Sequence, residues 1–173
     1  MPLAPDAERE LVVLLAAGRA TRLPGKLERE IDGVPLVVRA YRRFAERFDV
    51  AIAAARPFEA RVAAQLPCPF VYDRAPDRGP LEGLLAACAA LPAARFFAVA
   101  ADVPNASAQT LDALRAAWRD GDEAVVPAHD GRIEPLVAYY DRAALQREGE
   151  PALAREAYAV RAVVERLRAR FVE

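Results

Sequence analysis

Short apolar runs alternate with segments of helical spacing along this chain, and this alternation constrains its fold more than any other feature. The predicted strands are residues 11–16, 50–54, 69–72, 96–100, 123–127 and 136–140, with a possible edge strand at 171–172. The predicted helices are residues 35–47, 57–65, 79–90, 107–119, a short one after Asp141, and 159–168. Strands that alternate with helices form βαβ units around a mostly parallel sheet. We therefore predict an α/β fold, with residues 1–173 as a single domain.

Composition places the chain among globular proteins and narrows its partners. Hydrophobic residues make up 54% of the chain and charged residues 28%, with a net charge of −1. A nucleic-acid-binding protein normally has a basic excess, and no stretch here approaches the ~20 apolar residues of a membrane span. The acidic first ten residues do not fit a secretory signal. We therefore expect a cytoplasmic protein that binds neither nucleic acid nor membrane, with Cys68 and Cys88 as reduced thiols.

The loop after the first predicted strand carries three cations and no acid. It begins at Gly18 and contains Arg19, Arg22 and Lys26, which is the only lysine of the chain. Small residues let a backbone approach a ligand closely, and its N–H groups together with cations can hold a polyphosphate. The dinucleotide fingerprint is absent, and Leu27 stands where a phosphate-loop nucleoside triphosphatase has Ser or Thr. The loop therefore predicts a polyphosphate site of another kind.

Two further polar features follow predicted strands. Asp102 comes directly after strand 96–100, and Asp73 follows strand 69–72 and precedes Gly79 and Pro80. Ligands of parallel sheets bind beyond the carboxyl ends of the strands, so we expect these residues to lie at one edge with the cationic loop. Asp102 could bind Mg²⁺, which takes one or two carboxylates plus phosphate oxygens and water. The alternatives are a simple turn at Asp102 and a capped helix after Asp73.

Four segments, in order, resemble the nucleotidyltransferases that activate molybdopterin, and in particular the molybdenum cofactor guanylyltransferases. Residues 15–23 with Lys26 are similar to the family loop L-A-[GA]-G-x-[SA]-x-R-M-G and its lysine. Residues 79–83 match G-P-L-A-G, residues 102–104 match D-x-P, and residues 131–138 match G-x-x-Q-P-L-x-A. The resemblance extends over about residues 11–140, and its specificity lies in the four matches occurring together.

The resemblance implies a Rossmann-like three-layer α/β/α nucleotidyltransferase fold and Mg²⁺-dependent chemistry. GMP would pass from GTP to a phosphorylated acceptor such as molybdopterin, with release of pyrophosphate. Arg22, Lys26 and Asp102 would be the catalytic residues, with Asp102 holding the metal, and Pro135 and Leu136 would lie near the acceptor. The implied nucleotide-binding residues are Leu15, Ala16, Ala17, Gly18, Arg22, Lys26, Asp73, Gly79 and Pro80.

Several departures from the family pattern leave two other interpretations open. Ala17 is more usual in cytidylyl members, and residues 22–26, R-L-P-G-K, are similar to the loop of enzymes that make CMP-linked 3-deoxyoctulosonate. Residues 53–55 are alanines where guanylyl members carry a polar residue such as Asn. One alternative is therefore a cytidylyltransferase using CTP with molybdopterin or a sugar acid. The other alternative is a non-catalytic nucleotide-binding module lacking the acceptor site, because the family's N-x-N-T-P segment does not occur before Glu173.

Overall fold

The computed structural model describes residues 9–16, 25–75 and 77–173, and these residues are organised around a mixed sheet of eight strands. The strands are β1 (Leu11–Ala16), β2 (Glu30–Ile31), β3 (Val34–Pro35), β4 (Asp49–Ala54), β5 (Phe70–Tyr72), β6 (Arg95–Ala100), β7 (Ala124–His129), β8 (Arg132–Ile133), β9 (Val137–Asp141) and β10 (Ala169–Val172). The helices are α1 (Leu36–Ala45), α2 (Ala60–Ala63), α3 (Gly79–Ala90), α4 (Ala108–Ala117), α5 (Arg142–Ala154) and α6 (Val160–Val164).

The strand order of the sheet is β10-β7-β9-β6-β1-β4-β5, with β8 paired to β7, while β2 and β3 form a separate hairpin. Strands β6, β1, β4 and β5 run parallel, and β10 runs parallel to β7. Strand β9 is antiparallel to both of its neighbours. The prediction of a mostly parallel sheet is therefore confirmed, and the carboxyl ends of β6, β1, β4 and β5 form one continuous edge.

Helices cover both faces of this sheet, which explains why its central strands are almost wholly apolar. Side chains alternate between the two faces along a strand, so Val13 of β1 packs with α3, α5 and α6, while Leu14 packs with α1 and α4. Both side chains are fully buried. The α/β class predicted from the sequence is confirmed in this layered arrangement. None of the helices among the described residues is long and apolar enough to span a membrane.

Two Asp-Gly turns shape the short hairpins. The Asp-Gly pair at 130–131 predicts a hairpin of strands 123–127 and 136–140. In the structure Asp130 and Gly131, with φ of 48° and 72°, connect β7 to the two-residue strand β8, which was not predicted, and β9 also pairs antiparallel with β7. Asp32 and Gly33 have φ of 51° and 72° and connect β2 to β3, a hairpin that the sequence interpretation missed. Positive φ at both central residues suits the twist of a tight hairpin, and Asp-Gly is a favoured pair there.

Three predicted helices have different lengths in the structure. The helix predicted at 57–65 is the single turn α2, which begins only after Glu59, because that residue has a ψ of 143° and is not helical. The last helix ends at Val164 rather than near residue 168, and tight turns follow it before β10 begins. The helix capped by Asp141 is not short: it continues through Pro151, with Leu145 and Leu153 buried in the core.

The two cysteines are free thiols, as predicted. Cys88 is buried and Cys68 is partly buried. Burial raises the pKa of both thiols to about 12, so both stay neutral at physiological pH.

Candidate active site

The polar residues predicted to lie together follow neighbouring strands of the parallel edge. Asp102 follows β6, Lys26 follows β1, and Asp73 follows β5. Because adjacent strands are about 4.8 Å apart, β5 lies roughly 10 Å from β1, a distance that one nucleotide can span. The predicted Ala17, Gly18 and Arg22 lie outside the described residues.

Lys26 and Asp102 meet across this edge. The Lys26 ammonium donates to Oδ2 of Asp102 at 2.9 Å, and each side chain is 46% exposed. The strands themselves bring the two residues close, since the Ala101 N–H donates to the Leu15 carbonyl next to the turn that carries Asp102. An exposed ion pair contributes little to stability, about 0–1 kcal/mol, so both groups are available to a ligand at small cost.

Lys26 begins a single turn of 3₁₀ helix that ends at Glu28. Gly25, with φ of 72°, precedes it in the left-handed region, which favours glycine. The Glu28 N–H donates to the Gly25 carbonyl at 2.9 Å, and Leu27 packs against the core. This short turn therefore sets the direction in which the Lys26 side chain points.

Glu28 fixes the turn to the segment after β4. Its carboxylate is 9% exposed, accepts from Nη2 of Arg56 at 3.1 Å, and accepts from the Glu59 N–H at 2.8 Å. Sequence analysis missed this role, because Glu28 lies in a charged run that resembles an ordinary solvated surface. An open cleft of about 710 Å³ lies beside it. Its lining residues are Gly25, Glu28, Arg29, Glu30, Arg56, Glu59 and Arg61.

Asp73 and Gly79 lie at the two ends of one loop that Glu82 holds together. The Asp73 N–H donates to the Ala54 carbonyl at 3.1 Å, and Gly79 begins α3 with φ of 69°. Glu82 is fully buried and accepts from the Arg74 N–H at 3.1 Å and from the Arg74 Nε at 2.8 Å. The start of α3, including Pro80, is thus fixed against the end of β5.

The carboxyl groups of Asp73 and Glu82 form an electrostatically strained pair. Asp73 Oδ1 and Glu82 Oε2 are buried, and neither has a hydrogen-bond partner among the described residues. Burial first, and then the negative charge of Glu82, raise the pKa of Asp73 to about 6 from an ordinary value of 3.8. Asp73 therefore titrates near neutral pH. The sequence did carry a signal for Glu82, since it is an acid within a mostly apolar helix.

The other predicted residues lie at the same edge or next to it. Leu15 and Ala16 end β1, and Leu15 pairs with Ala53 and Ala100. The carbonyl of Leu136 accepts from the Ala100 N–H at 2.8 Å, which places the segment predicted for the acceptor beside Asp102. The neighbouring carbonyl of Pro135 is held by the Tyr140 hydroxyl, which donates to it at 2.8 Å.

Asp102, which the sequence predicts as a magnesium ligand, lies in surroundings that fit such a role. No group of three or more His, Cys, Asp or Glu that could hold a metal ion occurs within residues 9–16, 25–75 and 77–173. Mg²⁺ commonly binds to one or two carboxylates and takes its remaining ligands from substrate phosphates and water. A half-exposed carboxylate at a strand end, beside a cation, fits that donor set.

Curated relatives carry one shared description. A "Probable molybdenum cofactor guanylyltransferase" of Natronomonas pharaonis is 33% identical over 137 residues, which cover 74% of this chain and 66% of that protein. A "Molybdenum cofactor guanylyltransferase" of Burkholderia orbicola is 36% identical over 121 residues, covering 66% of this chain and 58% of the relative. The chain thus spans about two thirds or less of the length of these relatives.

Solved structures share the fold. Molybdopterin-guanine dinucleotide biosynthesis protein A from Archaeoglobus fulgidus superimposes with a TM-score of 0.79 at 24% identity, covering 94% of this chain and 82% of that one. A 2-C-methyl-D-erythritol 4-phosphate cytidylyltransferase from Thermus thermophilus gives a TM-score of 0.66 at 20% identity, covering 95% and 88%. These likenesses confirm the predicted nucleotidyltransferase fold. Residues 12–170 match the profile of a family described as "MobA-like NTP transferase domain", so the chain belongs to that family.

Proposed function

We propose that this protein transfers GMP from GTP to a phosphorylated acceptor, molybdopterin, and releases pyrophosphate. The observation that carries the proposal is the 2.9 Å contact between Lys26 and Asp102, which joins the segment after β1 to the acid after β6. Nucleotidyl transfer needs a cation that binds phosphate and a carboxylate that binds a metal ion, and these two groups lie side by side at the parallel edge of the sheet. The names of the curated relatives support the choice of GTP and of molybdopterin.

The reaction is an in-line displacement at the α-phosphorus of the nucleotide. An oxygen of the acceptor phosphate forms a bond to that phosphorus, and the bond from the phosphorus to the bridging oxygen of the β-phosphate breaks. Pyrophosphate leaves with the electron pair. Lys26, with Arg22, stabilises the negative charge that develops on the phosphate oxygens, which is the main catalytic requirement of such a transfer.

Asp102 would hold Mg²⁺, which supplies charge neutralisation and orients the phosphates when it is bound. In the structure Asp102 is paired with Lys26. When the nucleotide binds, the Lys26 ammonium would exchange the carboxylate for a phosphate oxygen, which would leave Asp102 as the group that holds the metal. The exchange costs little because both side chains are about half exposed.

The nucleoside would lie toward β5, with the phosphates over the end of β1. Outside the chain next to Gly79 and its own helix, no atom of the described residues lies within 4 Å of the place where a Cβ would stand, which supports an approach of a base or a ribose to the backbone there. Asp73 supplies a carboxyl group at the same end of the loop. The backbone at the end of β1 would bind the phosphates. The residues proposed for it are Leu15, Ala16, Ala17 and Gly18.

The proposal is tested by incubating the purified protein with each of the four α-³²P-labelled nucleoside triphosphates, Mg²⁺ and molybdopterin. We expect label in the pterin product and release of pyrophosphate with GTP, and loss of both in the Lys26→Ala variant. Asp130→Asn, at a position whose side chain is 88% exposed, is the matched control and keeps full activity. Transfer from CTP instead would establish the cytidylyl alternative. Nucleotide binding without pyrophosphate release for every acceptor would overturn the proposal.

A further inference from the structure

We propose that Glu28 is a positioning residue for Lys26, acting through the 3₁₀ turn that both residues share. Glu28 does not touch the Lys26–Asp102 pair; its carboxylate binds the chain after β4 and so fixes the point from which Lys26 reaches the phosphates. This inference rests on the proposed function in one respect, namely that Lys26 binds the nucleotide.

The turn that carries Lys26 is too short to hold its own position. It comprises three residues, Lys26–Glu28, and the hydrogen bonds that close it are those of Glu28 to Gly25 and of Arg29 to Lys26. Such a 3₁₀ turn has poorer hydrogen-bond geometry than an α-helix and little cooperativity. Its orientation therefore depends on contacts made by its side chains, and those of Leu27 and Glu28 point inward.

Glu28 supplies the specific part of that anchorage. Leu27 makes non-directional apolar contacts, whereas the two carboxylate oxygens of Glu28 each have a fixed donor: Oε1 has Arg56 and Oε2 has the Glu59 N–H. Charge-assisted hydrogen bonds are roughly twice as strong as neutral ones. Removing the carboxylate would also leave the Glu59 N–H without its acceptor in a part-buried place.

The far end of this anchor lies in the short segment that directly follows a strand of the sheet. Arg56 and Glu59 follow β4, and β4 pairs with β1 along its whole length, from Leu11 with Asp49 to Ala16 with Ala54. The anchor therefore connects the segments that leave two neighbouring strands at the same edge. Because catalysis of a displacement depends on geometry, a shift of about 1 Å in a phosphate-binding group can cost roughly 100-fold in rate.

The first test is a double-mutant cycle on turnover. We expect Glu28→Ala to lower kcat by roughly 10- to 100-fold with a smaller change in KM. Glu28→Gln keeps an acceptor for the Glu59 N–H, so it retains more activity. In a Lys26→Ala background neither change lowers kcat further, because the group that Glu28 positions is gone. Effects that multiply in the double variants would show a general structural role and overturn the proposal.

A matched control is available at the opposite end of the sheet. Glu123 is also buried, at 7% exposure, and likewise accepts from an arginine and a backbone N–H, those of Arg147 and Arg168. Glu123→Gln should leave kcat unchanged. An equal loss of kcat in Glu123→Gln and Glu28→Gln would mean that any buried acid has this effect, and it would overturn the proposal.

The second test needs no enzymatic activity. Lys26 is the only lysine, so an amine-reactive reagent labels just this side chain and the N-terminal amine, and peptide mass analysis separates the two. We expect Lys26 to be labelled several-fold faster in Glu28→Gln and Glu28→Ala than in the wild type, and at the wild-type rate in Glu123→Gln. Unchanged labelling in folded Glu28 variants would overturn the proposal even if the enzyme proves active. Absence of transferase activity in the wild type would refute the proposed function alone, since labelling still reports the anchor.

Discussion

Replacing Asp73 by Asn should stabilise the protein at neutral pH while removing a proposed nucleotide contact. The Asp73 carboxyl has one buried oxygen without a hydrogen-bond partner among the described residues, and it lies close enough to Glu82 to be affected by its charge. Ionised Asp73 is therefore disfavoured in the folded protein. An amide at this position carries no charge and adds an N–H₂ donor where the buried oxygens lack one.

The size of the effect follows from the pKa of Asp73. A pKa raised from 3.8 to about 6 corresponds to roughly 3 kcal/mol of penalty on the charged form. Because Asp73 is only partly buried, solvent screening reduces this, and we expect a gain of about 1–2 kcal/mol in Asp73→Asn. The penalty is absent below pH 3.8, where the carboxyl is protonated in both states. It grows as pH rises toward 6 and is complete above that value.

The assay is urea unfolding of wild type and Asp73→Asn, followed by circular dichroism at several pH values between 4.5 and 8. The difference in free energy of unfolding should increase in favour of the variant from pH 4.5 to somewhat above pH 6 and then level off, with unchanged m-values. Asp32→Asn, at a position whose side chain is 87% exposed and pairs with Arg39, serves as the control and should show no such trend. A destabilised Asp73→Asn protein at pH 8, or a difference that does not vary with pH, would refute the reasoning.

Three other outcomes follow from the structure. Lys26→Ala and Asp102→Ala should each reduce turnover at least ~100-fold with intact folding, measured by pyrophosphate release; near-normal activity in both would contradict the site. Burial raises the pKa of Glu123, but hydrogen bonds from the Arg168 N–H and an arginine outweigh burial and keep that pKa below 4.5. Glu123→Gln should therefore lower the free energy of unfolding by about 1 kcal/mol at pH 7, and by progressively less as the pH falls below 4.5. Ser107 caps α4 and accepts from the Thr110 N–H, so Ser107→Ala should lower the free energy of unfolding, measured by heat or urea, by about 1 kcal/mol. Turnover should not change, and a loss of activity would contradict a purely structural role of Ser107.

The sequence predicted those parts of the fold in which local pattern and tertiary packing agree. The run at residues 11–16 is apolar because both faces of β1 are buried, so the same apolar residues indicate both a strand and its burial. The predicted helices at 107–119 and after Asp141 begin at residues whose side chains can bond the free N–H groups of a helix, and Ser107 and Asp141 do so in the structure.

Two errors in the prediction have different origins. The helix predicted at 57–65 is a single turn, and Glu59 before it is extended and donates its N–H to Glu28, about thirty residues away in the chain, a contact that no local pattern specifies. The hairpin at Asp32 and Gly33 had a local signal, the same Asp-Gly pair that occurs at residues 130–131, and it could have been found.

At the candidate site, too, some positions follow from the sequence pattern and others depend on contacts between distant segments. That Lys26 and Asp102 lie at one edge follows from a parallel sheet, whose strand ends collect the loops. That Glu28 anchors the turn of Lys26, and that Glu82 is buried against Arg74, depends on pairings across loops that no local pattern specifies. Residue roles at the site remain predictions that the experiments above address.

A crystal structure with a non-hydrolysable GTP analogue and Mg²⁺ would show whether Lys26 and Asp102 bind one nucleotide between them. We expect the 2.9 Å contact between Lys26 and Asp102 to open in that complex. The Lys26 ammonium should then lie against a phosphate oxygen and Asp102 at about 2.1 Å from the metal, with the base beside Asp73 and Gly79. A nucleotide bound elsewhere, or bound with the Lys26–Asp102 pair intact, would contradict this expectation.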